Sequence, residues 1–220
     1  NLLTKQRETV FSYGAYLRGY VAEIRALGAT PVICSPIPRK RFDANGKTVR
    51  GTESYAGWAA AVAQAEGTGF IDLDRLIAER YDAIGSGVVD QLFPRTQPEE
   101  RVHPNWAGSA LNAHIVREQL RGLKLIPAAA FELPAPPLAA SIPPVAPATQ
   151  VLDPRKPTLF LVGDSTVRSA GQNGNWGWGE FLAPLLELDR IQLANHAMGG
   201  RSTRTFLREG RWAVVRDRIK

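Results

Sequence analysis

The chain has 220 residues, of which 44% are hydrophobic and 22% are charged, and it carries a formal net charge of +6. This length suits one large or two small domains with a sizeable core, and the scattered arginines lack the concentration typical of nucleic-acid-binding arms. No stretch has the pattern of a membrane span or a secretory signal peptide. Three scattered histidines and one cysteine give neither a metal-ligand spacing nor an intrachain disulfide.

The first part of the chain has the pattern of alternating helices and short buried strands. A helix is predicted from Glu8 to Leu27, where apolar residues recur at helical spacing. Strands are predicted over 29–35 and 69–73, each preceded by a helical pattern, and another helix is predicted from residue 74 to 81. This alternation predicts an α/β layer architecture around a parallel sheet.

A histidine follows these elements, just ahead of a predicted helix. Glu100 lies three residues before His103, and Asn105 offers a helix start ahead of a buried apolar stripe. A histidine on such a loop can act as a general base, and a nearby carboxylate can fix its tautomer. The alternative is that Glu100 is an exposed acid in a charged loop. Glu99 is a second candidate for the carboxylate that fixes the tautomer.

A segment rich in proline and alanine separates this part from the next. Residues 126–157 contain many prolines, which remove backbone donors and favour extended conformations. The segment is therefore predicted to be a semi-rigid linker, and the alternative is a long ordered loop within one domain. The chain is thereby divided into residues 1–125, the linker 126–157, and residues 158–220.

The second part opens with an apolar strand that runs into Gly163-Asp164-Ser165. Residues 158–162 have the length and apolar continuity of a strand buried in a parallel sheet. After Ser165, backbone N–H groups are free to point at an oxyanion that forms beside the hydroxyl. The alternative is a buried strand that ends in an ordinary turn.

Further elements are predicted after this turn. Residues 181–186 have a helical pattern, residues 191–194 resemble a strand that ends near Gly200, and an amphipathic helical pattern begins at Trp212. His196 is expected to hold a structural hydrogen-bonding position, the alternative being a place in a cleft. The tryptophans 176 and 178 offer a sugar-stacking face, or else pack over a sheet edge.

Three motifs together resemble those of the SGNH (GDSL-type) hydrolases, and within them the rhamnogalacturonan acetylesterase-like branch. Gly-Asp-Ser-Thr-Val around Ser165 resembles the first family block, and Gly200 with Arg-Ser-Thr-Arg resembles the second. Glu100-x-x-His103 resembles the last block, which is usually Asp-x-x-His. The resemblance implies a three-layer parallel sheet flanked by helices, with Ser165 as nucleophile, His103 as base, Glu100 as its orienting acid and Gly200 as an oxyanion donor. It implies no cofactor.

Two departures from the family pattern affect the architecture. The order is inverted, because His103 precedes Ser165, and the family's Gly-x-Asn-Asp block is absent together with one oxyanion donor and one central strand. Two partial domains of a tandem protein would explain this order. A circular permutant would also explain it, and would bring Ser165 and His103 into one site. A degenerate or domain-swapped form, such as a swapped dimer, is the third alternative.

The resemblance also implies a function. The implied reaction is two-step hydrolysis of acetyl esters on a plant cell-wall polysaccharide of the pectin type. The implied location is extracellular or periplasmic, and neither nucleic-acid partners nor membrane insertion is expected. Arg201, Arg204, Arg208 and Arg211 recur at helix-like spacing and would attract a polyanion, the alternative being a solvated face. Other interpretations are an inactive fragment or carbohydrate-binding relic of a tandem esterase, and a hydrolase of the lipase or thioesterase type.

Overall fold

A computed structural model describes residues 9–132, 151–169, 171 and 173–219. The helices in these residues are α1 Tyr13–Ala26, α2 Tyr55–Glu66, α3 Leu73–Ile84, α4 Ser86–Asp90, α5 Trp106–Leu123, α6 Thr203–Arg208 and α7 Arg211–Arg216. The strands are β1 Val32–Cys34, β2 Gly69–Ile71, β3 Thr158–Leu161 and β4 Gln192–Asn195. Short 3-10 turns cover Ala128–Phe131, Trp178–Phe181 and Ala183–Leu185.

The strands pair in parallel, in two sheets of two strands each within the described residues. Val32 of β1 lies opposite Gly69 of β2, and Thr158 of β3 lies opposite Gln192 of β4. The prediction of a mixed α/β fold with parallel strands is therefore confirmed. One continuous parallel sheet between two layers of helices, as the family resemblance implies, stays a prediction.

Local sequence explains where several helices begin and end. Ser12 caps α1 by accepting a hydrogen bond from the backbone N–H of Ala15. Helix α2 ends at Gly67, whose φ of 57° is in the left-handed region that glycine adopts without strain. In α6, Ser202 and Thr205 form a reciprocal capping box. These caps satisfy backbone groups that a helix terminus leaves without partners.

The helix predicted over residues 181–186 is wrong. The chain instead forms two successive 3-10 turns, which Leu182 connects. Pro184 has no backbone N–H to donate to an α-helical ladder, and its ring clashes with the preceding turn. The segment still buries Phe181, Leu182, Leu185 and Leu186, so the apolar pattern correctly indicated burial while the helical type was incorrect.

The largest hydrophobic cluster contains residues from both parts of the chain, before residue 133 and after residue 150. Ile71, Tyr81 and Val116 from the first part pack in the same cluster as Phe181 and Ile191 from the second. The buried Arg117 of α5 adds a polar link, because its Nε donates to the carbonyl of Leu185 over 2.9 Å. The two parts therefore share one core.

The first described end of the predicted linker packs in this core, and the second is hydrogen-bonded to β4. The turn Ala128–Phe131 buries Phe131, and the carbonyl of Ala130 accepts from the backbone N–H of Glu187 over 2.9 Å. At the other end, the N–H of Asp153 donates to Gln192 over 2.7 Å. Residues 133–150 lie outside the described residues, so the linker and the domain division stay predictions.

The last two helices pack against the first. The Tyr20 hydroxyl of α1 donates to the carbonyl of Thr203 over 2.8 Å, and the indole N–H of Trp212 donates to Glu23 over 2.7 Å. These contacts form a second connection between the two parts. In the part of the chain that the structure describes, we find no helix that could span a membrane.

Candidate active site

Ser165 lies on a tight turn that follows β3. The Asp164 carboxylate accepts hydrogen bonds from the backbone N–H and the hydroxyl of Thr166, both over 2.8 Å. The Asp164 carbonyl also accepts from the backbone N–H of Arg168 over 3.0 Å. A methyl group placed on Gly163 would come within 2.7 Å of the Val167 side chain, so glycine suits this close approach. The turn therefore holds Ser165 at the carboxyl end of its strand.

His103 faces Ser165 although the two residues are 62 positions apart. The distance between His103 Nε2 and Ser165 Oγ is 2.8 Å. Asn105 fixes the loop, because its side chain caps α5 by accepting from Gly108 N–H over 3.1 Å. Its amide also donates to the carbonyl of Gln91 over 2.7 Å. The rigid start of α5 thus positions the imidazole.

Glu100 lies on the other side of the imidazole ring. One carboxylate oxygen is 3.0 Å from His103 Nδ1, and the other accepts from the backbone N–H groups of Val102 and His103 over 2.7 and 3.0 Å. Partial burial favours a raised pKa for Glu100, but the hydrogen bonds from Val102 and His103 outweigh it and lower this pKa to about 2. The carboxylate is therefore ionised at neutral pH.

An ionised carboxylate determines the tautomer of the neutral imidazole. Because it can only accept, the proton of neutral His103 lies on Nδ1 and points at Glu100. The lone pair of Nε2 then faces the Ser165 hydroxyl, which donates to it. This arrangement can take a proton from Ser165.

Hydrogen bonds between the two parts of the chain hold the serine side against the histidine side. The backbone N–H of Trp176 donates to the carbonyl of Pro104 over 2.9 Å, and the Ser109 hydroxyl donates to the carbonyl of Trp176 over 2.9 Å. The side chain of Gln97 donates to the carbonyl of Asn173 over 2.8 Å. The relative position of Ser165 and His103 therefore rests on three further contacts.

The tryptophans that offered a sugar-stacking face pack inward instead. Trp178 is only 4% exposed, and Trp176 contacts Phe181 edge to face with ring centroids 5.6 Å apart. The burial of Trp178 leaves that ring no exposed face for a sugar, and packing over a sheet edge stays a prediction.

Gly199 and Gly200 form a turn beside the serine. Gly200 has a φ of 73°, in the left-handed region that favours glycine. A methyl group placed on Gly199 would lie 3.5 Å from Cβ of Ser165. Gly200 therefore lies in the neighbourhood that its predicted role requires, and its role as oxyanion donor stays a prediction.

A cleft of about 580 Å³ opens over these groups, and it contains residues that sequence reasoning missed. Its lining includes Ser165, His103 and Gly200, and also Arg168, Asn175 and Arg201. Asn175 has a buried side-chain oxygen without a hydrogen-bond partner in the described structure. No motif marks Arg168 or Asn175, whereas Arg201 belongs to the second family block and to the predicted basic face, without a predicted place in the cleft.

His196 takes a structural position. Its Nε2 is 3.0 Å from a guanidinium nitrogen of Arg218, and its ring stacks on Phe160 with centroids 6.1 Å apart. Burial lowers the pKa of His196, and the nearby Arg218 charge lowers it further. This placement agrees with the expected hydrogen-bonding position.

Comparisons with known proteins identify relatives for part of the chain. No protein-family model matches it. A probable rhamnogalacturonan acetylesterase of Bacillus subtilis is 46% identical over 63 residues, which are 28% of this chain and 29% of that protein. The rhamnogalacturonan acetylesterase of Emericella nidulans is 38% identical over 60 residues, 27% of this chain and 22% of that protein. The resemblance to rhamnogalacturonan acetylesterases is confirmed.

These rhamnogalacturonan acetylesterases are matched over less than a third of their own length. Their names describe carboxylic ester hydrolases, which agrees with the predicted enzyme class. Among solved structures, the protein YxiM of Bacillus subtilis matches 50% of this chain and 30% of its own, at 23% identity and a TM-score of 0.46.

Proposed function

We propose that this chain is a serine esterase that removes O-acetyl groups from a pectin-type polysaccharide. The observation that carries the proposal is the hydrogen-bonded series from Ser165 through His103 to Glu100 at the cleft. The names of the relatives supply the ester class and the polysaccharide. An extracellular location would suit such a substrate.

The first step acylates the serine. Ser165 Oγ attacks the acetyl carbonyl carbon while its proton moves to His103 Nε2, and the carbonyl oxygen becomes an oxyanion. The backbone N–H groups of Gly200 and Ser165 donate to this oxyanion. When the tetrahedral intermediate collapses, the sugar oxygen leaves with the proton from His103, and the acetyl group remains on Ser165.

The second step releases the acetyl group. A water molecule loses a proton to His103 Nε2 and attacks the acetyl carbonyl, and the new tetrahedral intermediate expels Ser165 Oγ, which regains that proton. The product leaves as acetic acid, which loses the second proton of the water to solvent to become acetate, and the enzyme returns to its starting protonation state. Throughout, the ionised Glu100 stabilises the imidazolium that forms in each step.

We also propose that the two parts of the chain form one composite site, the permutant-like alternative. The shared core and the hydrogen bond between Trp176 and Pro104 support this arrangement, since they join the segments that carry Ser165 and His103. Two separate half-domains would not bury residues of both parts in one cluster. A swapped dimer would reproduce the same contacts between copies, so the oligomeric state enters the tests below.

The missing family asparagine predicts a slow enzyme. Loss of one oxyanion donor typically costs about 100-fold to 1000-fold in rate. We therefore expect weak acetate release unless another donor of the cleft, such as the Asn175 amide, occupies that place.

The test of this function is acetate release from acetylated rhamnogalacturonan. The native chain should release acetate, and Ser165→Ala and His103→Ala should abolish release while retaining the native thermal transition. His114→Ala is the control, because His114 lies in α5 outside the hydrogen-bonded series. Acetate release that survives Ser165→Ala, or its absence from the folded native chain, would contradict the proposal.

A further inference from the structure

Two arginines line the cleft beside Ser165. Arg168 and Arg201 both line it, and no acidic residue is among the described residues that do so. The nearest carboxylate of the series, Glu100, lies behind the imidazole and is held by His103 and Val102. An anionic group that enters the cleft would therefore meet two guanidinium groups, and no carboxylate among the lining residues that the structure describes.

Arg168 and the nucleophile both lie close to Gly199. A methyl group placed on Gly199 would be 3.5 Å from Cβ of Ser165 and 3.7 Å from a guanidinium nitrogen of Arg168. Both side chains thus border the space that a side chain at position 199 would fill. Arg168 is therefore close enough to the nucleophile for both to contact one bound substrate chain.

Arg201 is held in place before any substrate arrives. Its Nε donates to Glu209 over 2.9 Å, and another of its nitrogens donates to the carbonyl of Gly199 over 2.8 Å. These contacts use two of the five N–H donors of a guanidinium. Glu209 is shared with Arg211, at 2.6 Å, so this group of three side chains keeps a net positive charge.

We propose that Arg168 and Arg201 form a carboxylate subsite, which binds the free acid of a uronic acid residue in the substrate chain and disfavours its methyl ester. The inference rests on the proposed function for the position of the sugar chain, and it adds which residues recognise the acid. Nothing in the family motifs required this pair to share a wall of the cleft.

The physical reason is that a carboxylate and its methyl ester differ in charge and in hydrogen-bonding capacity. A guanidinium donates two parallel hydrogen bonds to a carboxylate, and such charge-assisted bonds are about twice as strong as neutral ones. Methyl esterification removes the negative charge, and it makes one of the two oxygens a weaker hydrogen-bond acceptor. Loss of one charge-assisted contact corresponds to about tenfold or more in affinity.

The test measures binding rather than turnover. Trigalacturonate and its fully methyl-esterified form are titrated calorimetrically into the Ser165→Ala chain, at low salt and again at high salt. We expect the acid to bind at least about tenfold more tightly than the ester, with a difference that shrinks at high salt because exposed charges are screened. Arg168→Met and Arg201→Met should each weaken binding of the acid by about the same factor.

The control is Arg155→Met, which removes the same charge from an exposed arginine that pairs with Asp153 ahead of β3. Equal binding of acid and ester by the Ser165→Ala chain overturns the subsite. This result needs no arginine variant, so the proposal can be tested even if an arginine variant fails to fold. Equal binding of acid by the Arg155, Arg168 and Arg201 variants also overturns it.

Acetate release is measured separately, so that the two proposals fail in different ways. Release of acetate without a preference for the acid would overturn the subsite and leave the esterase in place. A preference for the acid without acetate release from any acetylated substrate would contradict the esterase and leave the carboxylate subsite as a binding site.

Discussion

Three side chains determine the chemistry at the cleft, and each depends on a contact that another residue supplies. Ser165 is positioned by the turn that the Asp164 carboxylate holds. His103 is positioned by the loop before α5, the helix that Asn105 caps. Glu100 is held by two backbone N–H groups. Because Glu100 stays ionised, the neutral imidazole has one tautomer, and that tautomer places a lone pair toward the serine.

Glu100→Gln tests the role of this carboxylate. The amide can donate to Nδ1 as well as accept from it, so it no longer enforces the tautomer or stabilises the imidazolium. We expect kcat/KM for acetate release to fall on the order of 100-fold. Glu99→Gln is the matched control, because the Glu99 side chain is 93% exposed. Equal activity of the two variants would show that Glu100 has no orienting role.

Asn112 gives a prediction about stability at the same scale. It is 1% exposed within α5, and neither atom of its amide group has a hydrogen-bond partner in the described structure. A buried polar group without a partner costs about 1–3 kcal/mol. Asn112→Leu, which is similar in size, should therefore leave the free energy of unfolding unchanged or raise it, while Asn112→Asp should lower it. A marked loss of stability in the leucine variant, measured by urea unfolding, would mean that the amide is hydrogen-bonded in solution.

Motifs predicted the residues of the hydrogen-bonded series but not the rest of the cleft. Ser165, His103, Glu100 and Gly200 stand in recognisable local patterns, so their positions could be inferred one by one. Arg168 reaches the cleft because the loop after Ser165 bonds to Pro104 through Trp176, and such a tertiary contact leaves no local signal.

At the scale of elements, apolar runs predicted where the strands lie. Of the four described strands only β4 is buried along its whole length, whereas β1, β2 and β3 are partly exposed, so the expected continuous burial is found in one strand. All four described strands lie within or beside the expected ranges. The failure at residues 181–186 has a single physical cause, since Pro184 interrupts the α-helical hydrogen bonds without changing which residues are buried. Hydrophobicity predicts burial more reliably than it predicts the type of helix.

The contact between His196 and Arg218 ties the end of β4 to the end of α7, and it predicts a pH dependence. The pKa of His196 is lowered from its ordinary value of 6.5 by burial and then by Arg218, so the folded state disfavours protonation. Stability from this neutral histidine is present above pH 6.5 and is lost as the pH falls through the lowered pKa.

The measurement compares Tm of the native chain and His196→Gln from pH 7.5 to pH 5. Glutamine keeps an acceptor for Arg218 but takes up no proton, so the variant should lose less stability toward pH 5 than the native chain. The lowered pKa of His114 contributes to both proteins and cancels in the difference. Parallel curves across the range would rule out His196 as the titrating group.

At the scale of the whole molecule, the two parts of the chain behave as one body in the structure. They share the main core, and contacts between α1 and the last two helices join them again on another side. The sequence could not predict this union, because periodicity reports on each element alone. The inverted motif order favoured two half-domains of a tandem protein as the simplest account and left one composite domain as an alternative.

A shared core predicts a single unfolding transition. Phe181 is 1% exposed in the second part and packs against Trp106 of the first. Phe181→Ala should therefore destabilise the whole chain by about 3–5 kcal/mol, and calorimetry should show one transition at a lower temperature. Leu188→Ala is the control, since Leu188 is 47% exposed in the same part. Two separate transitions, of which only one responds to Phe181→Ala, would indicate independent half-domains.

The most direct test of a composite site is the reaction of Ser165 with a fluorophosphonate probe. The monomer fraction from size-exclusion chromatography is treated with the probe, and the adduct is mapped by mass spectrometry. We predict an adduct on Ser165 in the native chain and its loss in His103→Ala, because only a serine that donates to the imidazole becomes nucleophilic. A folded monomer in which Ser165 stays unlabelled, or is labelled equally fast without His103, would contradict the composite site.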